Sequence, residues 1–220
     1  MREKMDDPAC DPEKLRNTYA QFGTVNALVS GWDKVYRRFI RPFAAARSHT
    51  HLLDVGSGGG DLPRKVARWA VRDGVNLSIT AVDPDERATA YATSQPHPEN
   101  VTFRRASTGD LVRAGESFDL VTSNHLLHHL SKEEVETICL ETAQLSTGLV
   151  VHKDLERADL AYAGFAALAL PLFRRSFIAH DGLISVRRSF TKDELQEVAP
   201  QGWRVEHTVP FHLLLIRDNR

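Results

Sequence analysis

Residues 51–61, HLLDVGSGGGD, constrain the fold of this 220-residue chain more than any other stretch. Leu52, Leu53 and Val55 run straight into Gly56, Gly58, Gly59 and Gly60, and an amphipathic segment begins directly after them. That order reads as strand, tight loop, helix. Glycine takes positive φ without a Cβ penalty and lets backbone approach a ligand, so the loop marks a place where something rests against main chain. Asp54 is the odd residue in the apolar strand. A buried, ionised carboxylate needs donors, which places Asp54 facing the loop or a ligand.

The rest of the chain repeats the same alternation. Residues 15–43 have helical periodicity, with Trp32, Tyr36, Phe39 and Phe43 on one face as core packing, interrupted at Gly23 and at the Ser30-Gly31 pair. Asp61 reads as the N-cap of the helix after the glycines, with Pro63 in its first turn. Strands are predicted over 77–82, 101–106, 118–123 and 149–151, and a helix over 86–94. A capping box, Ser131-x-x-Glu134, opens a helix that Gly148 is expected to end; a second, Thr191-x-x-Glu194, opens a short one closed by Pro200 and Gly202. An apolar helix over 160–173 and a basic stretch, RRSFIAHDGLISVRRSF, lie between them. The runs 203–209 and 211–217, separated by Pro210, are too close for a crossover and form an antiparallel pair. These elements predict an α/β fold: a doubly wound, seven-stranded, mostly parallel sheet with a reversed C-terminal strand. One domain is expected over 15–220, with 1–14 loose and with 15–43 and 155–190 as helical cover over the site.

Charge and composition remove several function classes. Twenty-eight basic residues stand against twenty-nine acidic ones without a basic run, which argues against nucleic acid as a partner. Cys10 and Cys139 have neither disulfide-framework nor zinc spacing, which fits a reducing, cytoplasmic setting. The charged opening segment, with its two prolines, does not read as a signal peptide. The longest apolar run has 14 residues and contains Gly164 and Pro171, whereas a spanning helix needs about 20, so no stable membrane insertion is expected. Nothing in the sequence fixes the oligomeric state.

In open α/β sheets, ligands sit beyond the carboxyl ends of the strands, and the unusual residues collect there: the glycine loop, Asp83, Ser107 and Thr108, Asn124 and His125, and His152 to Asp154. Asp83 lies 23 residues beyond Gly60, a spacing that suits an acid holding both hydroxyls of a ribose; its other reading is a helix N-cap. The dinucleotide pattern G-x-G-x-x-G fails, because the sixth position from Gly56 is Asp61, and no Gly-Lys-Ser/Thr occurs. A carboxylate at that helix start also disfavours a pyrophosphate. The loop suits a nucleoside cofactor without phosphates that carries an amino-acid end.

These residues resemble the class I S-adenosylmethionine-dependent methyltransferases. DVGSGGGD is similar to the first motif of that family, AVDPD to its second, and SFDLVTSNHLLHHL to its fourth-strand block. Within the family the likeness is to the small-molecule branch that includes quinone-biosynthesis enzymes. VVHKDLERADLAY and HDGLISVRRSFTKDEL also resemble methyltransferases encoded with aromatic polyketide synthases. The resemblance implies S-adenosyl-L-methionine as cofactor, with Gly56, Ser57, Gly58 and Gly60 along its methionine and ribose side. Asp54 would order the loop, Asp83 hold the ribose, Pro84 flank the adenine, and Asn124 lie at the fourth strand end. Where the family has an acid after the third strand this chain has Ser107, with Asp110 as the alternative. Asn124 is followed by His-Leu-Leu rather than Pro-Pro-Tyr, which argues against methylation of a planar amine.

The implied reaction is O- or C-methylation of a small, fairly hydrophobic acceptor such as a phenol, quinol or polyketide-like aromatic. His125 and His180 are the candidate bases, and His152 is expected to be buried. His128 and His129 lack a matching acid nearby, so no metal is expected. Two other classes compete: a nicotinamide-dependent oxidoreductase, and a non-catalytic cofactor-binding regulator.

Overall fold

In the computed structural model, backbone is described for residues 3–29, 31–173, 175–208 and 210–219, and side chains for these except 24–29, 168 and 170–172. Seven strands make one sheet: β1 (Thr50–Val55), β2 (Leu77–Asp83), β3 (Val101–Arg105), β4 (Phe118–Asn124), β5 (Ser146–Leu155), β6 (Arg204–His207) and β7 (His212–Asp218). Their order is β3-β2-β1-β4-β5-β7-β6, parallel throughout except that β7 runs against both β5 and β6. The chain lays strands outward from β1 in one direction and then from β4 in the other. The crevice at this switch point opens at the carboxyl ends of β1 and β4, where the glycine loop and Asn124 lie.

Helices cover both faces, which is why the central strands are apolar without alternation. On one face lie α2 (Trp32–Val35), a π-helical stretch (Tyr36–Ile40), α3 (Arg41–Ala45) and α4 (Asp61–Arg72); Trp32, Tyr36 and Ile40 pack there against Leu52, Ile79 and Val151. On the other, Val135, Cys139 and Leu145 of α7 (Lys132–Leu145) and Leu195 of α10 (Lys192–Val198) meet Leu53, Val121 and Val150. Each such side chain contributes roughly 1.5–3 kcal/mol on burial. The aromatic stripe is thus core: Trp32, Tyr36 and Phe43 are buried and Phe39 partly so. The remaining helices are α1 (Pro12–Val29), α5 (Glu86–Ser94), α6 (Thr108–Arg113), α8 (Asp159–Leu172) and α9 (Ile178–Arg188). Among the described residues no helix is long and apolar enough to cross a membrane.

Several expectations need adjustment. α1 runs through Gly23 unbroken, while Ser30 lies outside the described residues, as does Val209 of the run 203–209. Gly60, in the left-handed region at φ 75°, is the N-cap of α4, which makes Asp61 its first helical residue. Gly148 does not end α7; it lies within β5, where an added Cβ would stand 2.5 Å from the Phe43 ring and 2.7 Å from the Asp119 carbonyl. α6 is a helix that the sequence reading left out, and α9 falls within the helical cover expected over 155–190, where it was given no bounds of its own. The opening segment is tied down over residues 3–11. Lys4 and Met5 donate backbone N–H to the Asp181 carboxylate at 2.9 and 3.0 Å, and the Arg87 guanidinium donates to the carbonyls of Met5 and Asp7 at 3.1 and 2.9 Å. Those partners lie far off in sequence, so local composition gave no sign of them.

Candidate active site

A cavity of ≈ 960 Å³ opens at the switch point, at the upper end of the range for small-molecule and cofactor sites. One wall is the loop after β1, residues 56–59. Ser57 N–H donates to the Val82 carbonyl at 3.0 Å and Gly58 N–H to Asp83 Oδ2 at 2.8 Å, so β1 and β2 together hold the loop. Gly58 has φ 52° and open space where a Cβ would stand, which leaves its backbone bare to the cavity. Gly60 differs: a Cβ there would meet the Phe103 ring at 2.5 Å, and the residue does not line the cavity. Its glycine serves packing of α4, and Gly59 takes its expected place on the wall.

The carboxylates follow. Asp83 lines the cavity and also accepts Asp85 N–H at 2.9 Å; burial raises its pKa, against the lowering effect of these backbone donors. Two lone-pair positions remain for further donors. The N-cap of α5 is Asp85, accepting from Arg87 N–H, so the capping reading of Asp83 is not the one adopted. Asp54 is buried at the loop's root, accepts from Thr122 Oγ1 at 3.0 Å, and is pushed up to about 8 by burial. Pro84 and Asn124 also line the cavity, and Asn124 Oδ1 is buried without a hydrogen-bond partner.

Ser107 and Asp110 do not reach it. They form a third capping box, on α6: Ser107 Oγ and N–H bond Asp110 Oδ2 at 2.7 and 2.8 Å, while Asp110 also pairs with Arg113. Neither is among the cavity residues, so the adenine contact expected of them has no support in their placement.

The histidines sort by position. His125 lines the cavity, its Nε2 sealed from solvent and without a partner, its ring stacked on His212 at 5.7 Å. Burial, with Lys153 and His212 nearby, holds its pKa well below the usual value, so the imidazole is neutral. It is one of two non-glycine residues with positive φ among the described residues, at 54°, a strained backbone fixed by its N–H donating to the Lys153 carbonyl at 2.9 Å. His180 fares differently: it is exposed, bonded to Asp181 at 2.9 Å, and off the cavity. His152 is buried as expected, between Ser123 Oγ at 2.7 Å and Thr142 Oγ1 at 3.1 Å.

Sequence reasoning missed the group beside His125. His128 Nδ1 bonds Asp154 Oδ1 at 2.6 Å, and Asp154 also accepts backbone N–H from His128 and Leu155. Burial alone would raise the Asp154 pKa, but His128 outweighs it and the carboxyl sits well below its usual range. The acid that the His128–His129 pair lacks locally is Glu3: its carboxylate lies 3.6 Å from His128 Nε2 and 3.8 Å from His129 Nε2. All three residues line the cavity. No local spacing could announce a partner 125 positions upstream.

The far wall combines Phe165 of α8 and Ile178 and Val186 of α9 with the polar Asp181, Ser185 and Arg188 of α9; α1 adds Thr18, Tyr19 and Phe22. Of the expected cover, then, α1 and residues 155–190 reach the cavity, while α2, the π-helical stretch and α3 belong to the core.

Comparison with known proteins agrees with this architecture. Residues 52–147 match the family model described as a methyltransferase domain. A ubiquinone biosynthesis O-methyltransferase of Rhizobium etli is 30% identical over 143 residues, 63% of this chain and 53% of that protein. One of Brucella melitensis is 28% identical over 136 residues, 59% and 52% of the two chains. The chain thus spans about half the length of the curated relatives it matches. Among solved structures, the plantazolicin methyltransferase BpumL in complex with SAH superimposes with TM-score 0.59 at 12% identity, covering 95% of both chains. The resemblance to class I methyltransferases holds for the fold and for the central domain.

Proposed function

We propose that this chain is an S-adenosylmethionine-dependent methyltransferase acting on a hydroxyl, or an activated ring carbon, of a small hydrophobic aromatic such as a phenol, quinol or polyketide-like molecule. The observation that carries the reading is one cavity whose lining runs from the glycine loop and Asp83 to Phe165 of α8 and to Ile178 and Val186 of α9, with His125 also on its wall. The relatives named as O-methyltransferases favour an oxygen acceptor.

When bound, the cofactor supplies an activated methyl group. Asp83 has acceptor capacity left for two ribose hydroxyls, and the bare backbone at Gly58 allows close approach. Asp54, buried at the root of the loop, offers a carboxyl that a cationic amino-acid end would draw toward its ionised form. Asp61 also lines the cavity at the start of α4, where a pyrophosphate would be repelled, and this weighs against a nicotinamide dinucleotide. The His125 imidazole, on the cavity wall, takes the acceptor's proton, and the α8–α9 wall excludes water and holds the ring in line, an arrangement that supplies about 7–11 kcal/mol at best.

Calorimetry tests the cofactor: S-adenosylhomocysteine binds and NADH does not, and the opposite pattern removes the proposal. A methyl-transfer screen over phenols and quinols, read by mass spectrometry, separates enzyme from regulator. His125→Ala is expected to lower kcat by 10²–10⁴-fold with cofactor affinity near that of the unaltered chain.

A further inference from the structure

Both imidazoles of the His128–His129 pair are held from behind by carboxylates. His128 Nδ1 bonds Asp154 at 2.6 Å, and His129 Nδ1 lies 3.4 Å from Asp6. A carboxylate on Nδ1 fixes the tautomer that leaves Nε2 as the lone-pair atom, the outer-shell pattern of metal-bound histidines. Both Nε2 atoms turn toward one carboxylate, that of Glu3, itself oriented by Ser185 Oγ donating at 2.7 Å. Glu3 is only 3% exposed. The Nε2–oxygen separations, 3.6 and 3.8 Å, are too long for hydrogen bonds. Two donors each about 2.1 Å from a shared tetrahedral ion stand about 3.4 Å apart, close to what is seen, and the three ligand atoms lie within 4.8 Å of one another. Three carboxylates around the two imidazoles favour positive charge in this largely buried place, and a divalent cation would supply it. Arg188, whose guanidinium donates to the His129 carbonyl at 2.7 Å, offsets one of them.

We propose that Glu3, His128 and His129 form a site for a divalent transition-metal ion of the Zn²⁺ or Mn²⁺ class, with its open coordination positions facing the acceptor end of the cavity. Two imidazoles and one carboxylate suit such ions and leave room for substrate oxygen. The role in turnover rests on the methyltransferase reading. The ion binds the acceptor hydroxyl oxygen; the O–H bond breaks, its electron pair stays on oxygen, and the proton passes to the His125 imidazole, which lines the same cavity. The oxyanion then forms the O–C bond as the C–S bond of the donor breaks and its pair returns to sulfur.

Zn²⁺ titrated into the chelator-treated full chain, read by calorimetry, should give one ion per chain. Glu3→Gln and His129→Ala should each weaken it at least tenfold, Asp154→Asn by 10–100-fold, and His97→Ala, at an exposed histidine off the cavity, should leave it unchanged. Circular dichroism melts establish that each variant is folded. No saturable Zn²⁺ binding, equal binding by Glu3→Gln, or equal weakening by His97→Ala overturns the site. S-adenosylhomocysteine binding on the same sample reads the methyltransferase proposal separately. Zn²⁺ binding without it keeps the site and removes the acceptor role; the converse removes the site alone.

Discussion

At the scale of single residues, Asp54 and Gly60 give the sharpest tests. Asp54 has a folded pKa of about 8 against a reference of 3.8. Between those values the folded chain keeps a proton that the unfolded chain has lost, so the contribution of this group to stability falls as pH rises from about 4 to 8. Asp54→Asn removes that slope: its Tm should exceed that of the unaltered chain at pH 8.5, while its thermal shift with S-adenosylhomocysteine shrinks. Gly60→Ala must hold a left-handed φ and displace the Phe103 ring, so a loss of about 2–4 kcal/mol is expected in denaturant unfolding. The prominence of Asp54, the glycines and Asp83 was legible, because each is chemically odd where it stands. Ser107 was misjudged for a physical reason: a serine at a strand end serves a helix cap as readily as a ligand, and only Asp110, three positions on, tells which.

At the scale of elements, the segment 3–11 and α9 act as one unit. Asp181 of α9 accepts from Lys4 and Met5, and Ser185 of α9 donates to Glu3. Asp181→Ala leaves two backbone donors unmatched, a cost of about 1–3 kcal/mol per buried group. Limited proteolysis should then cut within 3–11 while the sheet stays resistant. Ser131→Ala, at the capping box of α7, should cost about 1 kcal/mol without moving cofactor affinity. Regular elements with a cap and an apolar period were readable, as α5 and α7 were. α9 was expected only as part of a helical cover over 155–190 and not as an element with bounds, because its buried face includes Asp181 and Ser185, polar residues whose partners are among the first few of the chain. The Glu3 site was hidden for the same reason.

At the scale of the whole molecule, alternation and the terminal pair sufficed to predict the sheet and its reversed strand, but not that β7 would sit inside β6. That placement buries Leu213 to Ile216 between β5 and β6, so deletion of 204–220 should abolish cooperative unfolding in circular dichroism. Lys153 adds a wider consequence. It is buried on β5 with no partner for Nζ, and burial lowers its pKa from 10.5 to about 7. From pH 7 to 10.5 the unfolded chain holds a proton the folded chain has released, so this group makes stability rise with pH, opposite to Asp54. These two contributions oppose each other between pH 7 and 8, while His152 and His212, both held down to about 4 by burial, add stability as pH rises from about 4 to 6.5. Lys153→Met should therefore raise Tm most below pH 7, the gap to the unaltered chain closing as pH approaches 10.5. The central sheet thus carries a buried amine that changes charge near neutrality, so a step across pH 7 alters the interior of the molecule as well as its surface.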